Sequence, residues 1–188
     1  MAVLVLLVLV TYHSRKGAEP PPKLSSLPGF SFTDQDGATV RLDDLLGEPW
    51  VADFIFTRCP GPCPLMSKKM QQLGPLLPEG VRRVSFSVDP DYDTPEVLAE
   101  YAARYDAGDD WIFLTGDRQG LWELSRDGFK LGVDEAIDEL PQQQGPIVHS
   151  TRFVLVDQEG VVRGYYDPFD RDELERLLRE LRAVRKGR

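Results

Sequence analysis

Residues Phe54–Met70 read FIFTRCPGPCPLMSKKM and hold the only two cysteines of the chain, Cys59 and Cys63, with three residues between them. The nearly continuous apolar run Trp50–Phe56 leads into this stretch, which is typical of a central strand covered on both faces. After Cys63, apolar residues recur at helical spacing, and Pro64 fits the first turn of a helix. The sequence therefore predicts that both thiols lie where a buried strand turns into a helix.

The spacing of the two cysteines leaves two kinds of chemistry open. Free N–H groups and the dipole at a helix N-terminus favour a thiolate, and Arg58 beside the pair is expected to favour it further. A thiolate is the nucleophile of disulfide exchange and also a metal ligand. Pro60, Pro62 and Pro64 stiffen the loop around Gly61, which suits either a redox loop or a preformed metal site.

A metal site would need a third ligand, because two thiolates do not complete one. The chain has two histidines, His13 in the N-terminal tail and His149. His149 lies at the approach to the predicted strand Ile147–Asp157, and in the predicted fold this approach runs beside the cysteine loop. Two thiolates and one imidazole form a soft ligand set that prefers copper over magnesium or calcium, whereas zinc would want a fourth ligand. Met66 and Met70 are assigned to the core because of their helical spacing.

The predicted elements alternate between strands and helices along the chain. They follow the order β-hairpin, β, α, β, α, β, α, long loop, β, β, α. This order describes an α/β thioredoxin-like sandwich, in which helices flank a central mixed sheet that carries an N-terminal β-hairpin extension. Two crossover helices are expected to cover the sheet from both sides. Besides those already given, the predicted elements are the hairpin Phe30–Leu46, the strand Val81–Val88, a helix that starts at Thr94, the strand Trp111–Leu114, a helix that opens at Asp117, the loop Asp134–Pro146, the strand Val161–Tyr166 and the helix Arg171–Arg185.

Length and charge bound the class of protein. The chain has 188 residues, which suits one domain with tails, and a net charge of −9 without a basic stripe. This balance argues against nucleic acid and an anionic membrane surface as partners. Ala2–Val10 is apolar but shorter than the about 20 residues that span a bilayer. We interpret residues 1–16 as a short membrane-anchor or signal remnant, 17–28 as a Pro-rich linker and 29–188 as the folded domain.

Four stretches resemble the Sco/SenC family, the thioredoxin-fold copper chaperones for cytochrome c oxidase assembly. They occur in the order typical of the family over about Leu27–Leu181. The stretches are FIFTRCPGPCP (Phe54–Pro64), SVDPDYDTPEVLAEY (Ser87–Tyr101), WIFLTGD (Trp111–Asp117) and HSTRFVLVDQEGVVRGYYD (His149–Asp167).

The resemblance implies a copper site made from Cys59, Cys63 and His149. It also implies a membrane-anchored domain on the periplasmic side, or in an equivalent extracytoplasmic compartment, that delivers copper to the CuA site of cytochrome c oxidase subunit II. A second periplasmic copper chaperone or a thiol reductase is a further expected partner. Asp89 and Asp93 match the acidic DPxxDT segment of the family, so they are expected beside the site or facing a partner. From the residues alone, Asp93 also reads as part of a helix cap.

The sequence departs from the family pattern at Arg58 and at Pro60-Gly61-Pro62, although neither change removes a ligand.

The leading interpretation is a metallochaperone rather than an enzyme. The alternative is a thiol–disulfide reductase that uses Cys59 and Cys63 as its redox pair and keeps the CuA-site cysteines, or another periplasmic target, reduced. A peroxidase is disfavoured because Thr57-Arg58-Cys59 does not give the spacing Thr-x-x-Cys.

Overall fold

The computed structural model describes residues 19–131 and 150–186. Within these residues, eight strands form one mixed sheet in the order β1-β8-β7-β4-β5-β6-β2-β3. The strands are β1 (Ser25–Ser26), β2 (Ser31–Asp34), β3 (Thr39–Arg41), β4 (Trp50–Ile55), β5 (Arg82–Ser87), β6 (Trp111–Thr115), β7 (Phe153–Val156) and β8 (Val161–Tyr166). The helices are α1 (Cys63–Leu73), α2 (Pro95–Arg104), α3 (Arg118–Glu123) and α4 (Arg171–Lys186).

The centre of the sheet places the cysteine loop. Strand β4 is buried along its whole length and pairs in parallel with β5, which pairs in parallel with β6. Strand β7 runs antiparallel to β4 on its other side. The carboxyl ends of β4, β5 and β6 therefore meet at one edge of the sheet, and α1 begins eight residues after β4 ends.

The predicted fold class is confirmed, but the expected placement of the two crossover helices is wrong. Both α1 and α2 pack on one face of the sheet, together with α4. The reason is topological: β4, β5 and β6 follow one another in the same direction across the sheet, and right-handed crossovers that step one way leave their helices on one face. Alternation along β4 separates the two cores, with Val51 and Ile55 facing the helices and Trp50 and Phe54 facing away. The opposite face is covered by residues of the hairpin, of α3 and of the turn after α3, including Phe32, Leu121, Leu124 and Phe129.

The local signals in the sequence behave as predicted. Strands β2 and β3 form the expected hairpin, in which the Asp34 carboxylate accepts the backbone N–H groups of Asp36 and Ala38. Thr94 caps α2 by accepting the N–H of Val97, and Asp117 caps α3 by accepting the N–H of Gly120. A π-helical turn, Leu124–Gly128, extends α3. The predicted loop Asp134–Pro146 lies outside the described residues.

The second half of the predicted linker joins the sheet. Ser25–Ser26 pairs with β8, and the backbone N–H groups of Leu24 and Leu27 donate to the carbonyls of Val162 and Gly160, each at 2.9 Å. The predicted anchor, residues 1–16, lies outside the described residues. In the part of the chain that the structure describes, no helix combines the length and apolarity needed to cross a membrane.

Candidate metal and redox site

The two cysteines lie together at the strand-to-helix turn. Cys59 is in the loop after β4, where its N–H donates to the carbonyl of Phe56 at 3.2 Å, and Cys63 is the first residue of α1. Their side chains hydrogen-bond to each other, and the N–H of Gly61 donates to the Cys59 sulfur at 3.4 Å. Both thiols are free, with 7% of Cys59 and 3% of Cys63 exposed. The loop thus presents a reduced, closely spaced dithiol that is shielded from solvent.

The environment of Cys63 favours the thiol over the thiolate. Burial is the main factor that raises the pKa of Cys63, and the hydrogen bond with Cys59 raises it further. A backbone hydrogen bond with Phe56 opposes these effects, whereas the charge on Asp53 adds to them. The expectation that the helix N-terminus makes this thiol acidic is therefore wrong for Cys63, because desolvation of the charged form outweighs the helix N-terminus.

Arg58, which was expected to favour the thiolate form of the cysteines, pairs instead with residues of the loop after β5. Its Nε donates to Oδ2 of Asp89 at 2.7 Å, and its guanidinium lies 4.4 Å from the centre of the Tyr92 ring. Asp89 is buried, whereas the Arg58 side chain is partly exposed. The guanidinium therefore neutralises a buried carboxylate of the DPxxDT segment.

Asp93 fastens the cysteine loop to the neighbouring strand. Its carboxylate accepts the hydroxyl of Thr57 at 2.5 Å, the N–H of Thr57 at 3.1 Å and the hydroxyl of Ser87 at 2.6 Å. Burial raises the pKa of Asp93, and these hydrogen bonds oppose the rise. The cap of α2 belongs to Thr94, so Asp93 is free to bind the loop that precedes Cys59.

A third acidic residue, Asp53, was missed by the sequence reasoning. It lies within β4 and is fully buried, and the Ser85 hydroxyl donates to its Oδ1 at 2.6 Å. The indole N–H of Trp111 donates in turn to the Ser85 oxygen at 3.0 Å. Burial raises the pKa of Asp53 to about 7, although the hydrogen bond from Ser85 lowers it. The signal that could have found it is a single carboxylate inside the apolar run Trp50–Phe56.

His149, the predicted third ligand, lies outside the described residues. Strand β7 begins at Phe153 and runs antiparallel to β4, so it starts towards the edge of the sheet where β4 ends. Among residues 19–131 and 150–186, no three histidine, cysteine or acidic side chains converge as a metal site would require. The described part of the site is therefore a dithiol, which can form a disulfide or supply two sulfur ligands.

Comparisons with known proteins point to one family. The sequence profile of the SCO1/SenC family matches residues 19–185. A SCO1 protein homolog of Bacillus subtilis is 36% identical over 159 residues, which cover 82% of this chain and 80% of that protein. A protein of Stutzerimonas stutzeri that is named for copper binding is 30% identical over 165 residues, 85% of this chain and 78% of its own length.

Two solved structures are similar over most of the chain. A SCO1/SenC family lipoprotein from Bacillus anthracis has 35% identity and a TM-score of 0.76, with 90% of this chain and 98% of that chain covered. BsSco has 32% identity and a TM-score of 0.75 with the same coverage. It is described as a member of the Sco family of cytochrome c oxidase assembly proteins that contains a disulfide switch.

Proposed function

The chain belongs to the SCO1/SenC family, and on this premise we propose that it is a copper metallochaperone. It receives a copper ion on Cys59, Cys63 and His149 and delivers the ion to the CuA site of cytochrome c oxidase subunit II. The observation that carries the proposal is the reduced pair Cys59 and Cys63, whose side chains already contact each other at the start of α1. The copper-binding relative from Stutzerimonas stutzeri supports copper as the cargo.

The donor set suits a cargo ion that must be both held and released. Thiolate sulfur and imidazole nitrogen are ligands that copper prefers. Three protein ligands leave one side of the ion open, so a partner can take it by ligand exchange. Because burial raises the pKa of Cys63, the ion has to displace a tightly held proton, and copper loading should strengthen as pH rises.

The same proposal assigns a place and partners. Residues 1–16 anchor the domain to a membrane, and the domain works on the periplasmic side or in an equivalent compartment. The description of the Bacillus anthracis relative as a lipoprotein supports a membrane attachment. The oxidase-assembly role given to BsSco supports the oxidase as the recipient. A periplasmic copper donor or a thiol reductase would serve the site before delivery, since a Cys59–Cys63 disulfide cannot bind copper.

A copper titration of the fully reduced chain tests the metallochaperone. We expect about one copper per chain with a thiolate-to-Cu(II) absorbance band. Cys59→Ser and Cys63→Ser abolish the band, and His149→Ala loses or strongly shifts it. His13→Ala is the matched control and should behave like the wild-type chain. Absence of stoichiometric copper from the reduced wild-type chain would refute the function, and an unchanged spectrum in His149→Ala would remove that residue from the site.

Thiol–disulfide exchange is the second candidate function. The observation that favours it is the reduced, solvent-shielded contact between Cys59 and Cys63, with the Gly61 N–H directed at the Cys59 sulfur. The disulfide switch described for BsSco is consistent with it. The target is the oxidised cysteine pair of the CuA site or another periplasmic disulfide. Reduction of an oxidised CuA domain by the His149→Ala chain would favour exchange, because this chemistry does not need the imidazole.

A further inference from the structure

One side chain of the cysteine loop has hydrogen-bonding capacity that neither candidate function uses. We propose that Arg58 binds a carboxylate of the target protein, an Asp or Glu side chain that lies beside the target sulfur. Arg58 thereby selects targets whose reacting cysteine has an acidic neighbour. The inference rests on the proposed functions in one respect: copper delivery and disulfide exchange both bring a target sulfur to Cys59.

The guanidinium of Arg58 is held in place by two residues of the loop after β5. Its Nε donates to Oδ2 of Asp89 at 2.7 Å, and its central carbon lies 4.4 Å from the centre of the Tyr92 ring. The loop itself is ordered by its backbone, because the N–H groups of Tyr92 and Asp93 both donate to the carbonyl of Asp89, at 3.0 and 2.9 Å. A guanidinium held in this way loses little conformational entropy when it binds a ligand.

The outer edge of this guanidinium is available for a ligand. A guanidinium carries five N–H donors, and the hydrogen bond to Asp89 uses the one at Nε. The two terminal nitrogens of Arg58, which carry the other four, have no hydrogen-bond partner within residues 19–131 and 150–186. The Arg58 side chain is 42% exposed and that of Asp89 only 5%, so a target meets the guanidinium before the carboxylate behind it. The two terminal nitrogens form a planar fork that matches the two oxygens of a carboxylate.

The other acidic side chains of the loop after β5 do not compete for these donors. Asp93 accepts hydrogen bonds from Thr57 and Ser87, and Asp91 pairs with Arg118. The chain as a whole has a net charge of −9, so long-range electrostatics oppose the approach of an acidic partner. An acidic target is therefore favoured only through a local contact, and such a contact selects for the position of a carboxylate rather than for net charge.

The position of Arg58 in the chain couples this contact to the reacting sulfur. Arg58 and Cys59 are consecutive, so their Cα atoms are about 3.8 Å apart. The Arg58 side chain extends to the loop after β5, whereas Cys59 packs in the core beneath α1 and is 7% exposed. A target has to come close to the cysteine loop before its sulfur reaches Cys59. The residues next to the target sulfur are then within reach of the guanidinium.

Two alkylating reagents of nearly equal size test the anion site without a partner protein. Iodoacetate carries a carboxylate and iodoacetamide an uncharged amide, and both are attacked by the Cys59 thiolate with displacement of iodide. The same thiolate reacts with both reagents, so the ratio of the two rates does not depend on how much thiolate is present. The rates are measured on the reduced full chain at constant pH, and tandem mass spectrometry assigns the label to Cys59.

Replacement of the guanidinium should reduce the preference for the anionic reagent. We expect Arg58→Gln to lower the ratio of the iodoacetate rate to the iodoacetamide rate by about threefold, the effect of a typical exposed ion pair. Arg126→Gln is the matched control. Arg126 also pairs with an acidic neighbour, Asp127, and lies 4.2 Å from the centre of the Trp122 ring. It belongs to the turn after α3 on the opposite face of the sheet, so its replacement should leave the ratio unchanged.

A double variant separates recognition of the carboxylate from the loss of a charge partner. Arg58→Gln alone leaves Asp89 as an unpaired carboxylate, which itself repels an anion. Arg58→Gln combined with Asp89→Asn removes both charges, so its net charge equals that of the wild-type chain. The ratio should nevertheless stay about threefold below the wild-type value, because the fork of donors is missing. Arg58→Lys keeps the charge without the fork and should give an intermediate ratio.

Peptide disulfides test whether the carboxylate belongs to a protein target. The probes are the disulfide-linked dimers of acetyl-Glu-Cys-Glu-amide and of acetyl-Gln-Cys-Gln-amide. Attack by the Cys59 thiolate breaks the peptide disulfide, forms a bond to one peptide and releases the other as a thiolate, which chromatography measures. The ratio of the Glu-peptide rate to the Gln-peptide rate should be at least about threefold higher in the wild-type chain than in Arg58→Gln.

Three outcomes would overturn the inference. The first is a ratio of alkylation rates that is unchanged in Arg58→Gln, and the second is a ratio that returns to the wild-type value in the double variant. The third is a preference for iodoacetate without a preference for the Glu peptide, which would assign the site to a small anion instead of a target protein. Copper stoichiometry and the reduction of an oxidised CuA domain report separately on the two candidate functions, so their failure is distinguishable from the failure of this inference.

Discussion

Asp93 joins the loops that follow two neighbouring parallel strands. Its carboxylate accepts both the N–H and the hydroxyl of Thr57, at 3.1 and 2.5 Å, and Thr57 lies two residues before Cys59. The same carboxylate accepts the hydroxyl of Ser87 at the end of β5. The buried side chain of Asp93 therefore holds the cysteine loop against the end of β5. Its described hydrogen bonds go to Thr57 and Ser87 and not to the thiols.

Asp93→Ala should destabilise the protein by about 3 kcal/mol, because one buried donor of Ser87 and two partly buried donors of Thr57 lose their acceptor. Urea unfolding of the reduced chain measures the change. Asp91→Ala is the control: its carboxylate is exposed and pairs with Arg118 at the surface, so its effect should stay within about 0.5 kcal/mol. Equal stability of the two variants would show that Asp93 does not fasten the loop.

Leu24 and Leu27 flank β1 within the predicted linker and differ in how deeply their side chains are buried. Leu27 is 7% exposed and belongs to the core on the hairpin face, whereas Leu24 is 48% exposed. Leu27→Ala should cost about 2–3 kcal/mol, the usual range for a buried leucine, and Leu24→Ala should be nearly silent. Thermal unfolding of the two variants measures the difference. If neither substitution lowers the melting temperature, the segment behaves as a free linker in solution.

The sequence predicted an element most reliably where apolar residues follow a regular pattern or where a capping residue marks the start of a helix. The apolar run of β4, the helical spacing after Cys63 and the cap at Thr94 each predict an element that the structure contains. Periodicity does not say which element covers which face, so the shared face of α1 and α2 was not predicted. A two-residue strand such as Ser25–Ser26 has no period, and the surrounding prolines pointed to a linker.

The position of the two cysteines could be predicted, because it depends only on their place in the sequence between a strand and the following helix. Arg58 was assigned to the thiols because it is adjacent to Cys59, but contacts depend on side-chain direction, and its guanidinium reaches Asp89. Asp53 was missed because the run Trp50–Phe56 was interpreted as a buried apolar strand as a whole, without regard to its one charged residue. His149 stays a prediction. Its assignment comes from the family resemblance and from the direction in which the chain enters β7.

The two thiols should differ in reactivity towards iodoacetamide. Burial raises the pKa of Cys63, and because only the thiolate form reacts, Cys63 should be alkylated slowly. At pH 7.5 we expect Cys59 to be alkylated at least about tenfold faster, as measured by mass spectrometry of the cysteine-containing peptides. Unfolding in urea should abolish the difference, which provides the internal control. Faster labelling of Cys63 would contradict the raised pKa of its thiol.

Asp53 should make the stability of the reduced protein decrease as pH rises. Its pKa is raised from 3.8 to about 7 in the folded state, so the folded protein holds a proton that the unfolded chain has already lost. The resulting stabilisation is complete below pH 4 and is lost as pH rises to about 7.

Asp53→Asn removes this dependence. At pH 8 the variant should be more stable than the wild-type chain by up to about 4 kcal/mol. The pKa of Asp53 differs by about three between the folded and the unfolded chain, and a difference of one in pKa corresponds to about 1.36 kcal/mol. At pH 4 the two chains should be nearly equal. Urea unfolding at both pH values, with Asp91→Asn as the exposed control, measures the difference. A constant difference at both pH values would mean that Asp53 does not titrate in the folded protein between pH 4 and 8.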